Sequence, residues 1–303
     1  MHLCISQLKK VKKMILVTGA TGHFGKATID FLLEKGISAN SISALVRDEA
    51  KAEDLKTKGI NLKIGDYDNY ASLVEAFKGV DKLLLVSSSD VVNRGQQHEN
   101  AVKAAKEAGV KHIFYTSFER KNDTETSPIY FLAKSHIDTE NLIKASGMTY
   151  TIFKNNLYLD ALPMFFGEQV LTTGIFLPAG ETKSAFALRN DMAEATANVL
   201  TSEGHENKAY SLNNTETVSI QEIAEDLSEI VGKQINYVSP PQDIYVKTLT
   251  EAGVPAEYVG MFAGFAEAIK QGEFSTEKTD LENLLGRKPT TTKDFLKVVY
   301  ASK

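Results

Sequence analysis

Short β-branched or leucine-rich runs recur through the first half of the chain: MILVT (14–18), SISALV (41–46), INLKI (60–64), KLLLVS (82–87), HIFYTS (112–117) and TYTIFK (149–154). Between them the apolar residues change to helical spacing, over 23–35, 49–58, 70–77, 94–108 and 132–146. Unbroken apolar runs mark strands buried on both faces, and their alternation with amphipathic helices predicts a parallel sheet covered on both sides. Gly36, Gly59, Gly79, Gly109 and Gly147 stand where each helix should stop. Six strands in this rhythm predict an α/β chain with a doubly wound Rossmann sheet over 14–154.

Beyond Lys154 the pattern loosens. An aromatic stretch (NNLYLDALPMFF) leads to a hairpin-like segment, VLTTGIFLPAG, at 170–180. Helical patterns follow at 191–201, 219–231, 241–252, 255–271 and 292–301, with strand patterns at AYSLNN and QINYVS. Residues 155–303 therefore read as a smaller α+β lobe, some of its elements returning to the Rossmann core. Such a lobe would cover the carboxyl ends of the strands and supply the substrate pocket.

Composition narrows the partners. Acidic and basic residues are interspersed and sum to −5, leaving no basic stripe for a nucleic acid or an anionic lipid. One cysteine, Cys4, can form neither an internal disulfide nor a thiolate cluster, which suits a reducing cytoplasm. The six histidines show no metal-ligand spacing, and no apolar run is long enough to cross a bilayer. Residues 1–13, with their lysines after the apolar run, do not resemble a secretory leader and read as a disordered extension. These features argue against nucleic acid and membrane as partners; a monomer or a homodimer is expected, with no feature here choosing between them.

The chemistry-bearing motif is Gly19-Ala20-Thr21-Gly22-His23-Phe24-Gly25, placed between the first strand and the first helix. Gly19 permits a tight turn, Gly22 lets backbone amides approach a pyrophosphate, and Gly25 allows the helix to pack closely on its strand. The helix N-terminus then favours the anion. At the tip of the second strand stands Arg47, followed by Asp48. A guanidinium there suits the 2′-phosphate of NADP, with Lys51 one turn on adding charge; Asp48 could instead take the ribose hydroxyls of NAD or cap the next helix. The third strand ends in Gly65-Asp66-Tyr67-Asp68, where a carboxylate could accept the adenine amino group or merely stabilise a turn. The fourth ends in Ser87-Ser88-Ser89, small residues that would let a nicotinamide lie close, or that would cap a helix. Asn155, Asn156 and Tyr158 follow the sixth strand and should face the nicotinamide.

In this order TGATGHFG, LVRD, GDY, LLLVSSS, AAKEAGVKHIFYTS and YTIFKNNLY resemble the NmrA-like branch of the short-chain dehydrogenase/reductase superfamily. The likeness extends through GHENKAY and AGVPAEY, and is strongest to the quinone- and dye-reducing bacterial members. It implies an NADPH-dependent reductase that works without flavin and passes a hydride directly to a planar quinone or conjugated dye. It also implies that Gly19 to Phe24, Arg47, Ser87 to Ser89 and the segment from Asn155 to Asp160 line the cofactor or its cleft. An acceptor could stack near Tyr158, Phe165 and Phe166.

The superfamily's usual proton donor is a tyrosine whose pKa is lowered by a lysine. Ser117, Tyr130 and Lys134 mimic that set, although Tyr150 and Lys154 repeat the spacing and the quinone- and dye-reducing members lack it. His136 falls where plant phenylpropanoid reductases of this branch carry a catalytic lysine, and it could donate a proton near neutral pH. Two other functions fit the same fold: a dinucleotide-binding redox sensor without turnover, and a nucleotide-sugar epimerase or dehydratase relying on the Tyr130–Lys134 pair.

Overall fold

The computed structural model describes residues 13–275 and 278–301; the expected extension at 1–13 therefore falls, but for Lys13, outside the described residues. The first half alternates as its pattern requires: β1 (Ile15–Val17), α1 (His23–Glu34), β2 (Ile42–Val46), α2 (Glu53–Thr57), β3 (Asn61–Ile64), α3 (Tyr70–Phe77), β4 (Lys82–Leu85), α4 (Arg94–Glu107), β5 (His112–Phe118), α5 (Tyr130–Ala145) and β6 (Thr149–Asn155). The second half contributes α6 (Leu162–Phe166), α7 (Val170–Thr173), β7 (Ile175–Phe176), α8 (Arg189–Thr201), β8 (Lys208–Leu212), α9 (Ile220–Val231), β9 (Tyr237–Val238), α10 (Gln242–Glu251), α11 (Ala256–Lys270), α12 (Leu281–Leu285) and α13 (Thr292–Tyr300).

Seven strands pair in parallel in the order β3-β2-β1-β4-β5-β6-β8, the doubly wound arrangement. Successive strand residues bury into opposite layers. Ile15 and Val17 join one apolar cluster with α1, α8 and α12, whereas Leu16 joins the other with α3, α4 and α5. Both faces of β1 are thus dry. The strand order reverses between β1 and β4, so the crevice beyond their carboxyl ends is where a ligand fits.

A third apolar cluster buries Phe165, Phe265, Phe274 and Tyr245 of the second half together with Phe118, Ile129 and Leu132 of the first. The hydrophobic face of α9 in this cluster is started by a capping box in which Ser219 and Glu222 bond reciprocally. The segment at 170–180 is not a hairpin. Val170–Thr173 closes into one helical turn, and Ile175–Phe176 pairs in parallel with Tyr237–Val238 some sixty residues on. The expected α2 is split into a 3₁₀ turn at Glu49–Ala52 and a short helix. No helix among the described residues is long and apolar enough to cross a membrane.

Candidate functional site

A cleft of about 540 Å³ opens at the β1/β4 reversal, lined by the loop after β1, the tips of β2, β3 and β4, the first turns of α4, Tyr158 and Arg189. Gly19 sits at φ +57°, which a side chain rarely tolerates, and its carbonyl accepts the Gly22 amide at 3.0 Å to close the turn. A Cβ on Gly25 would stand 2.4 Å from that same carbonyl. Gly25 is therefore required by the loop itself rather than by packing against the strand. No side chain caps the start of α1, so its first amide groups face the cleft unpaired. Thr21, His23 and Phe24 line the cleft with these glycines, whereas Ala20 is fully buried in the core and offers no side chain to a ligand.

At the far rim, Arg47 is exposed and makes no hydrogen bond or ion pair among the described residues. Asp48 is the helix cap: its Oδ1 accepts the Ala50 amide at 2.9 Å. Asp66 lines the cleft and also supports its own turn, accepting the Asp68 amide at 3.1 Å. The Tyr67 hydroxyl lies 2.6 Å from Thr18 Oγ1 and 2.8 Å from the Val86 carbonyl, bracing β1 against β4; burial raises its pKa well above that of a free phenol. Gln97 donates to both Asp68 oxygens at 3.2 Å, but its buried Oε1 has no partner.

Ser87, Ser88 and Ser89 all line the cleft, and none of their hydroxyls caps α4, whose entry turn is held instead by Asp90. The Ser88 peptide is clamped on both sides. Its N–H donates to His98 Nε2 at 3.0 Å, and its carbonyl accepts from Arg94 Nε at 2.6 Å. That bond puts the His98 proton on Nδ1, 2.9 Å from Thr139 Oγ1. Arg94 Nη1 stands 3.4 Å from His136 Nε2, so the His136 proton sits on Nδ1, 2.7 Å from the Tyr115 hydroxyl. Burial, with Arg94 adding repulsion, pushes His98 down to about 3 and His136 well below the ordinary imidazole value.

Several expected site residues lie elsewhere. His136 is buried behind Arg94 with both ring nitrogens engaged and does not line the cleft; it stays neutral near neutral pH, and its single ring proton is committed to Tyr115 rather than offered to a ligand. Ser117 donates to buried Glu140 at 2.5 Å, and Lys134 pairs with Asp138 on the exposed face of α5. Ser117, Tyr130 and Lys134 are thus not assembled at the cleft, and none of them lines it. Asn156 spends its side chain on Asn213, the Phe274 carbonyl and the Leu157 amide, fixing the lobe to the sheet. Asn155 donates to the Tyr158 hydroxyl at 3.0 Å from behind, leaving its buried Oδ1 without a partner. Phe165 and Phe166 are core residues, the former edge-on to Phe262 at 5.1 Å, so their faces are not free for stacking.

Arg189 was not legible in sequence. It reaches across from the start of α8 to His23 Nδ1 at 2.8 Å, pairs with Asp160 at 3.0 Å and covers the Tyr158 ring at 4.5 Å. Arg94 and Gln97 are not legible either, since RGQQHEN reads as a solvated helix face. The i,i+4 spacing of Arg94 and His98 was the available signal, because it sets both on one face.

This cleft, with a glycine loop, an uncapped helix start and a rim cation at the reversal of strand order, is that of a dinucleotide-binding Rossmann protein. The chain belongs to the NmrA-like family, whose model matches residues 11–296. It is 40% identical over 281 residues to quinone oxidoreductase 2 of Escherichia coli, covering 92% of this chain and 96% of that one. The E. coli NADPH-dependent quinone oxidoreductase solved with NADPH superimposes with a TM-score of 0.87 at 35% identity, over 95% of this chain and 100% of that one. Citrobacter sp. triphenylmethane reductase solved with NADP(H) gives 0.85 at 35% identity, over 94% and 99%.

Proposed function

We propose that the protein is an NADPH-dependent reductase of quinones or conjugated dyes. The observation that carries this reading is one cleft holding both the uncapped start of α1 and the unpaired Arg47 at the tip of β2. Those are the two features that distinguish a pyrophosphate and a 2′-phosphate from other anions. Ser87 to Ser89 and Tyr158 line the inner end, where the nicotinamide belongs. Membership of a family with quinone- and dye-reducing relatives supplies the acceptor class.

Bound NADPH would supply the hydride. The chain's part is to hold donor and acceptor together and exclude water, which brings most of the rate in such a transfer. A reduced quinone is acidic enough for solvent to set its protonation, so no dedicated acid is needed. That agrees with the absence of Tyr130, Lys134 and His136 from the cleft lining. The same absence argues against an epimerase or dehydratase, which depends on a tyrosine–lysine pair. NADPH and NADH oxidation followed spectroscopically with a panel of quinones tests the reading. Acceptor-dependent oxidation favouring NADPH is expected; binding without turnover would indicate a redox sensor.

A further inference from the structure

Arg94 is 5% exposed, yet it lines the inner end of the cleft. A buried guanidinium ordinarily has a carboxylate beside it, as Arg120 has Glu140 and Asp123. Arg94 has none within ion-pair reach among the described residues. Among the described residues its side chain hydrogen-bonds the Ser88 carbonyl and His136, both neutral. The neighbouring imidazole of His98 is neutral too, held so by burial and by Arg94 itself. The other cation at this end, Arg189, is already paired with Asp160. A desolvated positive charge is therefore kept beside Ser87 to Ser89 with no carboxylate in ion-pair contact, the Asp90 carboxylate in the same cleft acting on it only at longer range.

We propose that Arg94 is a catalytic residue that binds the acceptor oxygen on which negative charge develops, making the site one for quinones and other conjugated carbonyls. This rests on the reductase reading above. When hydride bonds to one carbonyl oxygen of the quinone as the donor's C–H bond breaks, the ring's π electrons shift to make it aromatic and an electron pair is displaced onto the other carbonyl oxygen, the donor being oxidised to NADP⁺. The oxyanion, stabilised by the guanidinium, then takes a proton from water to give the hydroquinone. A fixed cation aimed at an oxyanion in a dry site is worth far more than one in water. A triphenylmethane cation behaves oppositely: hydride adds to its central carbon, its positive charge disappears, and no oxyanion forms. Arg94 has nothing to stabilise there.

The test compares both acceptors on one preparation. In Arg94→Met the ratio of quinone to dye kcat/KM should fall about 100-fold, the scale of losing one oxyanion donor. Arg94→Lys, which keeps the charge, should retain more of it. Guanidinium ion should restore part of the quinone rate of Arg94→Met. A second readout needs no turnover. p-Nitrophenol bound to the NADP⁺ complex should ionise at lower pH in wild type than in Arg94→Met. Equal losses on quinone and dye, with no shift in p-nitrophenol ionisation, would reduce Arg94 to a support for the Ser88 loop and overturn the proposal. Wild-type protein that reduces neither acceptor would overturn the reductase reading instead, and this assignment with it.

Discussion

Arg47→Ala isolates the part of cofactor choice that the proposed function places on a single side chain. Arg47 is exposed on the cleft rim without a partner, and its neighbour Asp48 is committed to the Ala50 amide. Binding NADPH would therefore give Arg47 its first ionic contact, while binding NADH would give it none. A charged hydrogen bond contributes about 1.5–3 kcal/mol, and solvent screening at an open rim keeps the gain near the lower end. A loss of about 1.5–2 kcal/mol corresponds to roughly 10- to 30-fold in Kd. Fluorescence titration of the variant should show NADPH weakened by that factor and NADH by less than about twofold. Raising the salt concentration should shrink the wild-type preference, because the contact is exposed. Equal weakening of both nucleotides would refute the 2′-phosphate assignment and return Asp48 to contention.

Other substitutions probe the remaining parts of the site. Arg189→Ala removes the bridge to His23 and Asp160 over the phosphate loop, so NADPH and NADH should weaken equally in the same titration; a loss confined to NADPH would contradict that placement. Lys134→Ala breaks only an exposed pair with Asp138, so kcat/KM should stay within about twofold, whereas a hundredfold loss would reinstate a tyrosine–lysine acid. His98 ionises at about 3 in the folded protein and near the ordinary imidazole value when unfolded. The unfolded chain thus binds the extra proton as pH falls below about 6.5, and stability is lost on acidification through that window. From pH 7 to pH 5 this one group should remove about 2 kcal/mol. Unfolding free energies from urea titrations should fall by about that much more between pH 7 and pH 5 in wild type than in His98→Gln, and identical falls would contradict the buried neutral imidazole.

How much of this was legible in the sequence follows from which interactions are local. The sheet, the glycine loop and the tip cation each rest on residues close in sequence, where strand period, helix stop and turn geometry constrain one another. So Gly19 to Gly25, Arg47 and Ser87 to Ser89 all line the cleft, Ala20 excepted because its methyl turns to the core. The Tyr130–Lys134 spacing misled because the start of α5 is turned so that Lys134 faces solvent, a rotation that spacing alone does not fix. His136 looked reactive as an isolated imidazole; its state is set by Arg94 forty-two residues earlier and by Tyr115. Asn156 faces the lobe because of Asn213 and Phe274, and Arg189 reaches the phosphate loop from 166 residues away. Such contacts depend on the lobe's packing, which leaves no periodic trace.

The central claim is direct hydride transfer from NADPH to a bound acceptor, and isotope transfer tests it most directly. NADPH deuterated at the transferred C4 position is mixed with the protein and a triphenylmethane dye under argon, and the leuco product is examined by mass spectrometry. One deuterium at the central carbon, retained in ordinary water, is the predicted result. Tight NADPH binding with no leuco product, and no oxidation with any quinone, would contradict the account and leave a dinucleotide sensor in its place.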